Sequence, residues 1–219
     1  MKAMILAAGR GNRMRPLTDT VPKPLLKVNG KSLIEYHLEK LYLSGIKDVV
    51  INHAWLGEQI ELSLGDGSRF GLNITFSPEP EGGLETAGGI IKALPLLGEN
   101  PFLVISADVF CDINFSSLKL PEGSLAHLIL VDNPGHNSTG DFSLLTNGLL
   151  KLKGDCLTYS GVGLFSPSLF ANYPQGYLAL REVFESAIMN NMISGEIHDG
   201  YWSDVGTPER LQKISEQFS

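Results

Sequence analysis

In residues 3–25, AMILAAGRGNRMRPLTDTVPKPL, a short apolar run leads directly into a basic loop that contains two glycines. An apolar run that ends at a glycine turn is typical of a strand in an open α/β sheet, where ligands bind at the carboxyl ends of the strands. Gly9 and Gly11 allow the backbone to turn sharply and bring its N–H groups close to phosphate oxygens. The loop therefore predicts a phosphate-binding site.

Two common glycine motifs do not match this loop. A dinucleotide fingerprint needs a third glycine where the chain has Met14, and the P-loop pattern is absent from the sequence. The loop instead supplies Arg13 and Arg15, followed by Lys23 between two prolines that restrict the backbone. This arrangement favours fixed cations facing a small anion, whereas a merely solvated basic surface is the alternative.

The distribution of charge supports the same interpretation. The formal net charge is −7, yet residues 1–31 carry seven basic side chains and one acidic side chain. An acidic chain is a poor general partner for nucleic acid or an anionic membrane, so the local excess indicates a small, highly charged ligand. No apolar window reaches the roughly 18 residues that span a bilayer, and residues 1–8 lack a signal-peptide cleavage site. We therefore expect a cytoplasmic protein without a membrane partner; its oligomeric state is open, and a monomer is compatible with the sequence.

Apolar runs alternate with helical patterns in the first half of the chain, which predicts a parallel sheet with helices on both faces. The predicted strands are 3–7, 49–52, 74–77 and 102–106, and the predicted helices are 32–44, 56–64 and 85–94. Shorter apolar runs at 125–131, 142–145, 157–165 and 197–202 predict a mixed extension of this sheet, closed by helices 178–189 and 207–218. The expected fold class is a single α/β domain over 1–219 with an open, mostly parallel, Rossmann-like sheet.

Residues 6–18, LAAGRGNRMRPLT, together with Pro22-Lys23-Pro24-Leu25 resemble the signature of the sugar-1-phosphate nucleotidylyltransferases. The resemblance implies the nucleotidyltransferase fold, with a nucleotide-binding part at 1–108 and a sugar-binding part at 109–219. It implies catalytic roles for Arg13 and Lys23, which match the arginine and lysine that stabilise the phosphates. The implied nucleotide-binding residues are Leu6, Ala7, Gly9, Gly11, Asn12, Arg13, Lys23, Glu81, Gly88 and Ser106. The implied sugar-phosphate-binding residues are Val109, Gly140, Tyr159 and Ser160.

Two distant carboxylates are the candidate metal ligands. Asp108 follows the predicted strand 102–106 and should lie at the carboxyl edge of the sheet, and Asp204 directly precedes a predicted helix start at Thr207-Pro208. Mg²⁺ prefers one or two carboxylates and keeps its other positions for water and phosphate oxygens. Both settings resemble the family's paired metal aspartates, although Asp112 is a competitor. The family commonly has glycine where this chain has Ala107.

Three further stretches resemble the branch of the family that acts on N-acetylmuramate 1-phosphate: INHAWLG at 51–57, GDGSRFGL at 65–72 and VDNPGH at 131–136. This resemblance implies transfer of a uridylyl group from UTP with release of pyrophosphate, in peptidoglycan recycling. A lactyl carboxylate on the sugar needs a cation, for which Arg181, Lys151 and Lys153 are candidates. The alternatives are a nucleotidylyltransferase for glucose or mannose 1-phosphate using dTTP, UTP or GTP, and a non-catalytic nucleotide-sugar sensor.

Overall fold

The computed structural model describes residues 1–218, and Ser219, the last residue of the predicted domain, lies outside them. The strands are β1 (Ala3–Leu6), β2 (Lys27–Val28), β3 (Lys31–Ser32), β4 (Asp48–His53), β5 (Asn73–Pro78), β6 (Phe102–Ser106), β7 (Val109–Cys111), β8 (Ala126–Val131), β9 (Phe142–Leu144), β10 (Leu150–Lys151), β11 (Cys156–Phe165), β12 (Ile193–Ile197) and β13 (Trp202–Asp204). The α-helices are α1 (Leu33–Leu43), α2 (Gly57–Leu64), α3 (Glu85–Leu97), α4 (Leu180–Met189) and α5 (Pro208–Gln217).

One mixed sheet forms the centre of the molecule. Its main path runs β10-β9-β11-β6-β1-β4-β5, and β8 joins it through β11 and carries β12 on its other side. The strands β6, β1, β4 and β5 are parallel neighbours, whereas β11 is antiparallel to β6 and β8. The predicted fold class is confirmed: a mostly parallel first half is extended by a mixed second half. The ends of β1 and β6 lie side by side, since Leu6 pairs with Ser106.

Helices cover both faces of the sheet, as the sequence predicts. On one face, α1 and α2 pack their apolar side chains against the sheet in a core cluster that includes Leu38 and Ile60. On the other face, α3 and α4 contribute to a second cluster that includes Ile90 and Phe184. Burial of these two apolar stripes is the main force that holds the helices in place.

The two ends of the chain meet in a third, smaller cluster. Hairpin β2–β3 lies against α5, and Met14, Val28, Val205 and Ile214 are buried together there. Helix α5 begins as predicted, with Pro208 at its first position and Thr207 Oγ1 accepting a hydrogen bond from the Arg210 N–H. Because Met14 of the loop after β1 packs with Val205 and Ile214, the segment that contains Asp204 lies next to that loop.

The predicted helices agree with α1 to α5 apart from their ends, and α1 shows the predicted capping contact between Ser32 and Glu35. The predicted strand at 197–202 is wrong. Strand β12 ends at Ile197 and β13 begins at Trp202, and the residues between them form the connection. In the part of the chain that the structure describes, no helix is long and apolar enough to cross a membrane.

Candidate active site

The loop after β1 forms one wall of a cavity of about 900 Å³. The Ala7 N–H donates to Asn52 Oδ1 on the neighbouring strand β4 at 3.0 Å, which ties the start of the loop to the sheet. Gly11 has φ +68°, a conformation that glycine adopts without steric cost, and the Met14 N–H donates to its carbonyl at 2.8 Å. The loop thus turns back over the end of the sheet. The predicted residues that line this cavity are Leu6, Ala7, Gly9, Gly11, Asn12, Arg13, Lys23, Glu81, Ser106 and Asp108.

Lys23 lies at the boundary of this cavity and is only 12% exposed. It begins a short 3₁₀ turn, Lys23–Leu25, in which the Leu25 N–H donates to the Pro22 carbonyl at 2.8 Å. The ammonium group forms an ion pair with the Asp108 carboxylate. A rigid backbone and limited exposure both reduce the entropy that Lys23 loses when it binds an anion.

The first cavity also contains side chains that are not among the predicted site residues. Asn52 Nδ2 donates to Glu79 Oε1 at 2.6 Å, and the other Glu79 oxygen accepts from the Leu84 N–H at 2.8 Å. The Trp55 ring lies 4.3 Å from the Arg10 guanidinium carbon, a distance typical of a cation–π contact. The side chains of this group that line the first cavity are Arg10, Asn52, Trp55, Glu79 and Leu84. Asn52 and Trp55 fall within the quoted stretch 51–57, which was the available signal.

Asp108 and Asp204, which are 96 positions apart, are brought together by the short sheet β7–β13. In that pair Asp204 is opposite Val109, and the Val205 N–H donates to the Asp108 carbonyl at 2.7 Å. Asp204 also has basic partners, because its Oδ1 forms an ion pair with Arg210 and lies 3.0 Å from His136 Nε2. The two carboxylates therefore line the same region of the molecule, each held by a basic side chain.

A second cavity of about 410 Å³ adjoins the first. Leu6, Thr86, Ser106 and Asp108 line both cavities. The predicted residues Val109, Tyr159, Ser160 and Asp204 line the second cavity. Asp141 also lines it, and its Oδ2 accepts from the Tyr159 N–H at 2.8 Å. Burial raises the pKa of the Tyr159 phenol, so this hydroxyl stays protonated. The second cavity thus offers polar groups next to a wall shared with the first.

Two predicted site residues lie outside both linings. Gly88 is buried in α3, where an added Cβ would lie 2.0 Å from the Gly176 carbonyl oxygen. Gly140 has φ +64°, and an added Cβ would lie 2.5 Å from the Cys156 carbonyl oxygen. Close backbone packing explains both glycines. Gly88 and Gly140 are therefore not brought to the cavity surface with the other predicted residues.

The donor set fits a divalent metal of the Mg²⁺ type. Asp108 and Asp204 supply two carboxylates, and residues 1–218 contain no group of three or more His, Cys, Asp or Glu that could form an all-protein metal cage. Mg²⁺ is commonly held by one or two carboxylates together with water and substrate phosphates. Asp112, the competing candidate, lies outside both cavities and pairs with His198 Nε2 at 2.6 Å.

His37 lies in α1 and interacts with the backbone of Ala107 and Val109, on either side of Asp108. Its side chain is buried, and within the described chain Nε2 has no hydrogen-bond partner. Burial lowers the pKa of His37 from 6.5 to about 4, with nearby Lys40 acting in the same direction. The neutral imidazole thus packs beneath the turn that carries Asp108.

Residues 2–119 match the model of the nucleotidyl transferase family. The chain belongs to this family. It is 55% identical to the N-acetylmuramate alpha-1-phosphate uridylyltransferase of Neisseria meningitidis serogroup B, over 97% of this chain and 96% of that protein. It is 34% identical to the protein of the same name from Caulobacter vibrioides, over 94% of this chain and 92% of that one. Among solved structures, HddC from Yersinia pseudotuberculosis superimposes with a TM-score of 0.83 at 23% identity, covering 100% of this chain and 99% of its own, so the two chains share a fold.

Proposed function

We propose that this nucleotidyl transferase transfers the uridylyl group of UTP to N-acetyl-α-muramate 1-phosphate in the cytoplasm, as a step of peptidoglycan recycling. The products are UDP-N-acetylmuramate and pyrophosphate. The observation that carries this proposal is the pair of cavities that meet at Asp108, the first lined by a basic glycine loop and the second by polar groups. The two relatives that align with this chain over more than nine-tenths of both lengths support the choice of base and sugar.

The two cavities also support the assignment of the two substrates to different parts of the chain. Apart from Gly206, the lining of the first cavity comes from residues up to Asp108, which we assign to the nucleotide. Most of the second lining comes from residues beyond Asp108, which we assign to the sugar phosphate. In this arrangement the shared wall lies where the α-phosphate of UTP meets the phosphate of the sugar.

In the reaction, an oxygen of the sugar phosphate forms a bond to the α-phosphorus of UTP, and the bond between the α- and β-phosphates breaks. The attacking phosphate is already ionised near neutral pH, because its second pKa is about 6, so it needs no general base. The main barrier is repulsion between two anions, which positioned cations offset. Arg13 and Lys23 line the first cavity and would bind the triphosphate, with Lys23 leaving Asp108 to do so.

We assign the metal to Asp108 and Asp204. A bound Mg²⁺ would neutralise phosphate charge and favour in-line geometry at the α-phosphorus. Without substrate, each carboxylate is paired with a cation: Asp108 with Lys23 and Asp204 with Arg210. Asp204 also stays close to the nucleotide cavity through Gly206, which lines that cavity two residues further on.

Product analysis with a panel of substrates tests the proposal. UTP, dTTP and GTP are each combined with N-acetylmuramate, glucose and mannose 1-phosphates, and pyrophosphate release is measured with Mg²⁺. We expect UTP with the muramate compound to give the highest kcat/KM. Turnover of glucose or mannose 1-phosphate, with none of the muramate compound, would replace our choice by the alternative enzyme. A chain that binds the nucleotide sugar but releases no pyrophosphate from any combination would be a sensor.

A further inference from the structure

Acidic residues outnumber lysine and arginine in the described lining of the second cavity. Its described lining includes three carboxylates, those of Asp108, Asp141 and Asp204, but Arg181 is its one lysine or arginine. His136 also lines the cavity, but its Nε2 lies against Asp204 at 3.0 Å, beside the proposed metal ligands. A negatively charged group on the sugar therefore has one guanidinium available in this cavity.

Arg181 lies in the first turn of α4, and packing defines the position of its head group. The guanidinium carbon lies 5.6 Å from the centre of the Phe142 ring, and Nε is 2.7 Å from Glu185 Oε1 one turn further along the helix. The pair with Glu185 uses one of the five N–H donors of a guanidinium. The side chain is 55% exposed. A ligand in the cavity can therefore reach it without disrupting the core.

The proposed substrate carries a negative charge that most sugar 1-phosphates lack. N-acetylmuramate differs from N-acetylglucosamine by a lactyl ether that ends in a carboxylate. Asp108 and Asp204 already have basic partners, and Asp141 accepts a hydrogen bond from a backbone N–H. A lactyl carboxylate that enters this cavity loses hydration and therefore needs a cation of its own. Guanidinium and carboxylate groups match in shape, since two parallel N–H donors bind the two oxygens. Lys151 and Lys153, the other candidates from the sequence, are exposed and lie outside both linings.

We propose that Arg181 binds the lactyl carboxylate and thereby selects the muramate sugar over neutral N-acetylhexosamine and hexose 1-phosphates. This assignment rests on the proposed function and adds the residue that determines its sugar specificity. The lactyl ether is attached to O3 of the sugar and the reacting phosphate to C1, so Arg181 would contribute to substrate binding while the transfer itself depends on the shared wall.

The test pairs a change in the protein with a matching change in the ligand. We compare the wild-type chain, Arg181→Gln, Arg181→Lys and the exposed control Lys153→Gln. Each is assayed by pyrophosphate release with UTP, Mg²⁺ and either N-acetylmuramate 1-phosphate or its lactyl methyl ester, which removes the carboxylate charge and adds only one methyl group. Because the ester has no carboxylate for Arg181 to bind, turnover of the ester shows whether the rest of the active site is intact in each variant.

We expect the wild type and Lys153→Gln to use the acid with a KM roughly 10- to 100-fold lower than that of the ester, as for a hydrogen-bonded charge pair. Arg181→Gln should lose this preference through the KM for the acid while using the ester as the wild type does, and Arg181→Lys should recover part of it. If Arg181→Gln keeps the lower KM for the acid, or if its KM rises equally for acid and ester, the assignment of Arg181 is wrong while the proposed function still stands. A wild-type chain that uses neither compound would overturn the proposed function as well.

Discussion

At the scale of single residues, the site depends on which cations face the cavity and which face solvent. Arg13 and Arg15 are two positions apart in the same basic loop, yet only Arg13 lines the first cavity. Arg15 points away and forms an exposed ion pair with Asp19 at 2.9 Å. The sequence alone indicated a basic loop with both arginines, and the family signature was needed to assign the phosphate role to Arg13.

Arg13→Ala should lower kcat/KM for UTP by about 100-fold or more, because a positioned cation near the reacting phosphates is removed. Arg15→Ala is the matched control and should change kcat/KM by less than about 2-fold, since exposed ion pairs contribute little. Steady-state pyrophosphate release at saturating sugar phosphate measures both. Equal losses in the two variants would contradict the role of Arg13.

Asp108→Asn should reduce turnover by at least about 100-fold and raise the Mg²⁺ concentration needed for half-maximal rate, because a neutral amide is a weaker ligand for a hard cation. Asp112→Asn carries the same chemical change outside the cavities and should leave the Mg²⁺ dependence unchanged. Rate is measured over a Mg²⁺ titration with each variant. The metal assignment fails if Asp108→Asn retains the wild-type titration curve.

At the scale of elements, the sequence predicted most helices and strands but not all of their pairing. The apolar runs that form β1, β4, β5 and β6 are long and uniform enough to read directly. Strand β12 was not predicted, because its sequence, Ile-Ser-Gly-Glu-Ile, has little intrinsic preference for a strand. The strand forms because it pairs with the buried strand β8. Hairpin β2–β3 and sheet β7–β13 are two or three residues long and likewise depend on tertiary contacts.

Helix α1 links folding stability to pH through His37. Its pKa of about 4 in the folded chain lies below the ordinary value of 6.5, so the unfolded chain binds a proton that the folded chain does not over this interval. The neutral His37 therefore contributes fully above pH 6.5, and stability is lost as the pH falls from 6.5 towards 4, by up to roughly 3 kcal/mol.

Urea unfolding at about pH 7 and about pH 4.5 measures this loss. His37→Gln cannot titrate, so its free energy of unfolding should fall less between the two values than that of the wild type. Identical decreases in the two proteins would show that His37 is not responsible.

At the scale of the whole molecule, both halves of the chain contribute residues to the candidate site. The loop after β1 supplies cations, and the segment before α5 returns Asp204 to it because α5 packs against hairpin β2–β3. The sequence predicted these residues separately, through the signature at residues 6–25 and through the position of Asp204 before a predicted helix start. What the sequence could not provide were contacts such as Asn52 with Glu79, or the location of Arg181, because these depend on how distant elements meet.

UTP with Mg²⁺ should stabilise the whole chain. Ligand at about 100 times its Kd adds about 2.7 kcal/mol to the free energy of unfolding, which for a chain of this size raises Tm by roughly 5–10 °C. Thermal unfolding followed by fluorescence compares UTP with GTP and dTTP, each with Mg²⁺ or with excess chelator. We expect the largest rise with UTP and Mg²⁺, and a rise that the chelator does not reduce would argue against a metal-linked nucleotide site.

Leu6, Thr86, Ser106 and Asp108 line both cavities, so the two proposed substrate sites adjoin along this wall. A single inhibitor can exploit this continuity. A compound that joins uridine to an N-acetylmuramate ring through an uncleavable linker occupies both compartments but loses translational freedom only once, so its affinity exceeds that of either fragment. The best linker will be the shortest one that passes Asp108 without displacing its carboxylate.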